Sequence, residues 1–191
     1  ELGVPAGALL VCVMARFDAM KGHDVFAEAL ACWLPRDPRV HALVAGTGVS
    51  VEAAPYEALL NARPELESRL HLLGPRLDVE RLIAAADLAC CPSRSEGFPN
   101  AVAEAMACGL PCVVTDVGDA AQLVGDGALV VPPGRADALV AALEAVSAMP
   151  DTRRREIGRA ARSRIVSRYS MESAVESYLS AYHEVAEGRL R

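Results

Sequence analysis

What most limits the folds open to this chain is the repeated alternation of short apolar runs with longer stretches of helical periodicity. The run at 8–15 (ALLVCVMA) has the length of a fully buried strand. After a polar turn, Val25, Phe26, Ala29, Leu30 and Trp33 fall on one face of a helix predicted over 23–33, which Pro35 ends. Further strands are predicted at 40–45, 70–73, 88–91, 112–115 and 128–131. Helices are predicted at 51–61, 79–86, 100–108, 136–147, 152–168 and 171–186, and the stretch after 115 reads as a Gly-rich loop. Strands joined through helices of these lengths form right-handed βαβ units, so the fold class is α/β: a Rossmann-like parallel sheet with helices on both faces. The expected division is a Rossmann-like domain over 1–150 followed by C-terminal helices over 151–191, which pack on it or reach elsewhere.

Composition narrows the function classes. With 52% hydrophobic but only 4% aromatic residues, the core must be built from Ala, Val and Leu, which suits helices packed closely on a parallel sheet. A net charge of −6 argues against nucleic acid as a partner. The six cysteines include no Cys-x-x-Cys pair and sit in apolar runs or helical patterns, so they read as free buried thiols of a reducing compartment. No leader-like segment and no apolar run near 18 residues appears, and a cytoplasmic location is the expectation. There is no Asp-x-Asp element and no His cluster with ligand spacing, so no metal is expected.

In open parallel sheets, ligands sit beyond the carboxyl ends of the strands. The loops leaving those ends are 16–22, 46–48, 74–77, 93–99 and 116–118, and they hold many of the glycines and several charges. Arg16 and Lys21 can point into one crevice, the first as a fork of donors and the second as a compact charge. Of 19 basic residues Lys21 is the one lysine, which fits either a need for an ammonium there or compositional bias. Glu96 and Glu104 flank a loop and the start of a helix. Gly97 permits close backbone approach there, Pro99 suits the first helical position, and the amides of Asn100 and Ala101 can take phosphate oxygens. Read alone, each of these charges is equally at home on a solvated surface. His23 reads as a helix-start residue rather than a base, His41, His71 and His183 as structural, and Arg153–Arg155 as a solvated helix face.

Taken together these residues resemble a known family. The stretch 92–118 (PSRSEGFPNAVAEAMACGLPCVVTDVG) closely resembles the donor-binding signature of retaining glycosyltransferases of family 4, the glycosyl transferases group 1. Those enzymes have the GT-B fold, two Rossmann-like domains with a Glu-x7-Glu motif in the second. The segment 15–22 (ARFDAMKG) is similar to the family's Arg-x4-Lys pair, and 46–48 and 71–74 fall where its other glycine turns are expected. The similarity runs from about 8 to 146 with the motifs in order.

The resemblance implies catalytic roles for Arg16 and Lys21, which would neutralise the donor's diphosphate as it leaves, and for Glu96, which would bind hydroxyls of the transferred sugar. It implies donor contacts at Gly46, Leu73, Arg76, Gly97, Phe98, Pro99, Asn100, Ala101, Glu104 and Gly118. Among these Glu104 would hold the ribose, and Leu73 and Arg76 would line the base pocket. It also implies a nucleotide-sugar donor such as a UDP-sugar, a metal-independent reaction, and a part in building polysaccharide. The acceptor would be bound by an N-terminal domain that this chain does not contain, so the chain alone is expected to be inactive. Any membrane association would be peripheral and belong to the full enzyme. One departure stands out: the family often continues as Gly-Gly with a Glu three positions on, where this chain reads Gly118-Asp119-Ala120-Ala121-Gln122. Two alternatives remain, a sugar-nucleotide epimerase of the same architecture and a non-catalytic nucleotide-binding module. A dinucleotide-binding domain is disfavoured, because Arg-Phe-Asp follows the first strand where a Gly-x-Gly-x-x-Gly turn is required.

Overall fold

The computed structural model describes residues 2–125 and 129–189. Among these residues six parallel strands form one sheet: β1 (Leu9–Met14), β2 (Val40–Ala45), β3 (Leu70–Leu72), β4 (Leu88–Cys91), β5 (Cys112–Thr115) and β6 (Leu129–Val131). Their order is β3-β2-β1-β4-β5-β6, so the direction of winding reverses between β1 and β4. β1 pairs with β2 along its whole length, from Leu9 opposite Val40 to Met14 opposite Ala45. This is the doubly wound class predicted from the alternation of elements.

The helices are α1 (His23–Trp33), α2 (Ala54–Ala62), α3 (Val79–Ala84), α4 (Asn100–Ala107), α5 (Ala120–Val124), α6 (Ala136–Ser147), α7 (Asp151–Arg168) and α8 (Met171–Ala186). Alternation along β1 divides the core. Leu9, Val11 and Val13 face α1, α2 and α6, where Phe26, Trp33, Tyr56 and Leu143 are buried. Leu10 and Cys12 face the other layer, packing with Ile83, Val102, Met106, Leu123 and Ile165. A sheet covered on both sides needs apolar residues at every position, and β2 is buried throughout.

Most boundaries fall as predicted, and the rest differ by one to three residues. α2 begins at Ala54 rather than 51 because Pro55 occupies its first turn, where a missing N–H costs nothing. α5 lies in what reads as a loop, since five residues are too few to show a period. Ala128, with which the last predicted strand starts, lies outside the described residues. The expectation of buried thiols holds for Cys12, Cys90 and Cys112 and fails for Cys32 and Cys108, which are exposed on the outer sides of α1 and the α4 terminus. Burial pushes the Cys12 thiol up to about 12, so it is an inert core group.

α7 corrects the sequence reading of Arg153–Arg155 at Arg154. α7 is not simply a solvated face, because its arginines reach the carbonyl ends of three other helices. Arg154 donates to the carbonyl of Ser147 at 3.2 Å, and Arg164 donates to those of Leu123 and Gln122 at 2.9 and 2.7 Å. Arg162 donates to the carbonyl of Ala107. Carbonyls at a helix C-terminus lack intrahelical partners and carry partial negative charge, so guanidinium groups suit them. α7 and α4 cross where Gly158 meets Gly109; a Cβ on Gly158 would lie 1.7 Å from the Gly109 carbonyl oxygen. α8 has no buried residue, and its Met171, Val175, Tyr178, Leu179 and Tyr182 are exposed. No described helix is long and apolar enough to cross a membrane.

Candidate active site

The reversal between β1 and β4 opens a crevice at their carboxyl ends, where loops diverge to opposite faces of the sheet. Two concavities lie side by side there and share Met14, Ala15 and Ala101. One, about 180 Å³, is lined in part by Lys21, Ser93, Glu96, Phe98, Pro99 and Asn100. The other, about 360 Å³, is lined in part by Arg16, Gly46, Thr47, Arg76 and Glu104.

The loop after β1 is fixed by its neighbours. Its Phe17 amide donates to the Thr47 carbonyl at 2.7 Å, and Gly46 lies so close that a Cβ would be 2.0 Å from the Ala15 oxygen. Asp18 caps a single 3-10 turn, Ala19–Lys21, by accepting from the Met20 amide at 2.8 Å. Gly22 then turns the chain into α1 with φ of 67°, and a Cβ there would be 2.0 Å from the Pro92 oxygen. Only glycine satisfies both demands. Lys21 is thereby delivered to the crevice from the end of the turn, while the Arg16 side chain stays exposed, its Nε 3.7 Å from Asp18.

His23 anchors this loop from below. Its Nε2 lies 2.9 Å from the Arg16 carbonyl and its Nδ1 2.7 Å from the Tyr56 hydroxyl. A carbonyl only accepts, so the network assigns the proton to Nε2, and Nδ1 accepts from Tyr56. Burial holds the imidazole below its usual pKa and keeps it neutral. Both ring nitrogens are thus engaged within the fold, as suits a helix-start residue.

On the opposite lip, the Lys21 ammonium donates to both carboxylate oxygens of Glu96, at 2.7 and 2.8 Å. The Ser93 hydroxyl donates to Glu96 Oε1 at 2.7 Å, and Ser93 itself is buried. Thr115 in turn donates from its hydroxyl to the Ser93 carbonyl. Glu96 is therefore held by a cation and a buried hydroxyl rather than serving as a helix cap. Gly97 faces open space, so nothing obstructs a ligand there. Pro99 sits at the N-cap of α4, one residue earlier than the sequence suggests, and its carbonyl accepts from Val102 at 2.9 Å. No side chain caps α4, and Asn100 and Ala101, at the helix start where amides lack intrahelical partners, line the concavity beside Lys21.

The remaining predicted residues fall in or around the crevice with different parts to play. Glu104 lies one turn into α4 and lines the second concavity with Arg76, whose guanidinium donates twice to Asp78 at 2.8 Å and holds that carboxyl down to about 2. Leu73 packs its side chain against the core and joins the sheet through its amide, 2.9 Å from the Val44 carbonyl. Phe98 is partly exposed and rests on Tyr169 with ring centroids 5.6 Å apart. Gly118 lies behind the site: its φ is 51° and a Cβ would be 2.1 Å from the Glu96 oxygen, so it supports the Glu96–Gly97 peptide from the rear. Sequence reasoning missed Ser93, Thr115, Asp24 and Arg94. The one available signal was a serine two residues beyond a buried strand, where a hydroxyl needs a partner.

A parallel α/β domain that sets a cation, a carboxylate and an uncapped helix start at its switch point presents the groups an anionic ligand would meet. Comparison with known proteins makes this specific. Residues 8–149 match the model of the glycosyl transferases group 1, and the chain belongs to that family. It is 35% identical, over 98% of its length and 43% of the relative's, to a D-inositol 3-phosphate glycosyltransferase of Geodermatophilus obscurus. It is 32% identical, over 100% of its length and 54% of the relative's, to the lipopolysaccharide core biosynthesis mannosyltransferase LpsB of Rhizobium meliloti. The chain thus spans about half the length of the curated relatives it matches. Among solved structures it resembles sucrose-phosphate synthase of Thermosynechococcus elongatus, with a TM-score of 0.81 and 27% identity over 98% of this chain and 48% of that one. It also resembles Anabaena HepE in complex with UDP and glucose, with a TM-score of 0.80 and 28% identity over 94% and 50%. The fold is accordingly that of one half of a GT-B-like glycosyltransferase.

Proposed function

We propose that this chain is the donor-binding domain of a retaining family 4 glycosyltransferase that transfers a sugar from a nucleotide-diphosphate sugar. The observation that carries the reading is the meeting of Lys21 and Glu96 beside the uncapped start of α4. Breaking a sugar–diphosphate bond builds negative charge on the leaving group. Lys21 and the amides of Asn100 and Ala101 are held on the surface where that charge would develop, with the exposed Arg16 close by, and such groups lower the barrier most when they are preorganised. Glu96 would accept from sugar hydroxyls and Glu104 from the ribose, with the base lying against Gly46, Leu73 and Arg76. The solved relative holding UDP and glucose favours a UDP-sugar.

The reaction would need no metal, and the acceptor would come from an N-terminal domain, with activity absent until that domain is joined. In this reading residues 1–150 form the donor domain, while 151–191 tie it to its partner through the exposed apolar face of α8. Calorimetric titration with UDP, GDP and ADP, then with their sugar conjugates, tests the reading. Selective binding of one nucleotide, weakened by both Lys21→Ala and Glu104→Ala, would support it. Equal binding by the unsubstituted chain and both variants would sink it.

A further inference from the structure

The loops that bring Lys21 and Glu96 together are joined a second time, outside the crevice. Arg94 stands two residues before Glu96, and Asp24 three residues after Lys21. The Arg94 guanidinium donates from Nη1 and Nη2 to the two oxygens of Asp24 at 2.6 and 2.7 Å. Its Nη1 also lies 3.3 Å from the Ala19 carbonyl, and the Arg94 amide donates to the Met20 carbonyl at 2.7 Å. One residue of the β4 loop thus grips the 3-10 turn that ends in Lys21 by its carbonyls and the first turn of α1 by its acid. Neither Arg94 nor Asp24 lines either concavity.

We propose that Arg94, acting through Asp24, is a positioning residue that fixes the separation of Lys21 from Glu96 while a diphosphate occupies the site. The proposal rests on the donor-site reading above. The direct Lys21–Glu96 pair itself holds the two loops together. An incoming diphosphate takes a share of the ammonium's charge and sets its own negative charge near the Glu96 carboxylate, so the direct pair weakens and repulsion across the gap grows. The contact that closes the site is therefore the one that a bound diphosphate would undo. The Arg94–Asp24 fork lies where the ligand does not compete with it. A planar guanidinium paired to both carboxylate oxygens also fixes direction as well as distance, which a lysine at 94 would not do. The same hydrogen bonds hold the Asp24 carboxyl below its usual pKa, so the fork stays charged through the neutral range. Half-exposed ion pairs add little to global stability, so removing this one leaves a folded chain.

The test is a coupling measurement using UDP, with GDP and ADP in parallel, on the unsubstituted chain, Arg94→Ala, Asp24→Ala, Lys21→Ala and the double variant Arg94→Ala/Lys21→Ala. Arg94→Ala and Asp24→Ala should each weaken binding of the preferred nucleotide about 5- to 10-fold, as expected for groups coupled through a shared network. In the Lys21→Ala background, Arg94→Ala should add less than about twofold, because the group it positions is gone. A purely structural role would lower the melting temperature and leave that coupling at zero. Arg94→Lys, which keeps the charge and loses the fork, should bind no better than Arg94→Ala, and it serves in place of Arg94→Ala should that variant not fold. Unchanged affinity in Arg94→Ala, or an equal loss in both backgrounds, overturns the positioning role alone. Failure of the unsubstituted chain to bind any of the three nucleotides overturns the donor-site reading and this inference with it.

Discussion

The Lys21 ammonium sits 2.7 and 2.8 Å from the two carboxylate oxygens of Glu96, a residue 75 positions further along the chain. Each arrives at the meeting point through a constrained turn. Lys21 follows the Asp18-capped 3-10 turn, and Glu96 follows the buried Ser93, whose hydroxyl it accepts. The pair places a positive charge and a hydroxyl acceptor within one crevice, a combination that suits a ligand with both phosphate and sugar.

If the leaving diphosphate depends on Lys21, Lys21→Ala should lower transfer by an enzyme containing this domain about 10²- to 10³-fold in kcat, the usual cost of losing a preorganised donor. Lys21→Arg should recover little, since a planar fork cannot replace a compact ammonium on the end of this turn. Initial rates with the sugar donor at saturation measure both.

Two glycines of similar crowding should behave differently. Gly118→Ala forces a Cβ to within 2.1 Å of the Glu96 carbonyl oxygen, and Gly158→Ala forces one to within 1.7 Å of the Gly109 oxygen. Each should destabilise the fold by about 1–3 kcal/mol through overpacking. Only Gly118→Ala should also weaken nucleotide binding, because it displaces the peptide that carries Glu96. Denaturant melts paired with nucleotide titration separate the two effects.

Stability should fall in mild acid. His23 is buried and neutral, with its pKa lowered chiefly by desolvation, and His41 and His71 are shifted the same way. A base whose folded pKa lies below its unfolded value of 6.5 takes up its proton only on unfolding as pH drops. The loss therefore starts near pH 6.5 and continues down to the folded pKa, at up to about 1.4 kcal/mol per pH unit for each such group. His23→Gln should flatten the pH dependence of the melting temperature between pH 6.5 and 5 by one group's share.

α8 supplies a contrasting expectation. Its Tyr178 and Leu179 are 66% and 51% exposed, so Tyr178→Asp and Leu179→Asp should move the stability of this chain by no more than about 0.5 kcal/mol. Joined to an N-terminal domain, the same substitutions should loosen the two halves, which limited proteolysis would register as faster cleavage between them.

The elements were legible where burial leaves a periodic trace. The ranges 23–33, 40–45, 88–91, 112–115, 136–147 and 171–186 match the observed bounds of α1, β2, β4, β5, α6 and α8. α5 was not legible, because five residues complete barely more than one turn. Arg154 was misread because a helix surface looks alike in sequence whether it meets water or the carbonyl end of another helix. In the site, Lys21, Glu96 and Glu104 announced themselves through spacing and motif. Ser93, Arg94 and Asp24 did not, since a serine or an ion-paired arginine in a loop is ordinary until its partner is known.

By itself, then, the sequence determined the order of strands and helices, the parallel sheet and the placing of charges in the loops beyond its carboxyl ends. These follow from the spacing of apolar residues and from local turn chemistry. Tertiary structure alone decided which loops face one another, that His23 is tied to Tyr56 and Arg16, and that Arg94 closes on Asp24. Those contacts join residues up to 70 positions apart. Their geometry is set by the reversal of winding between β1 and β4, and no local pattern carries that information.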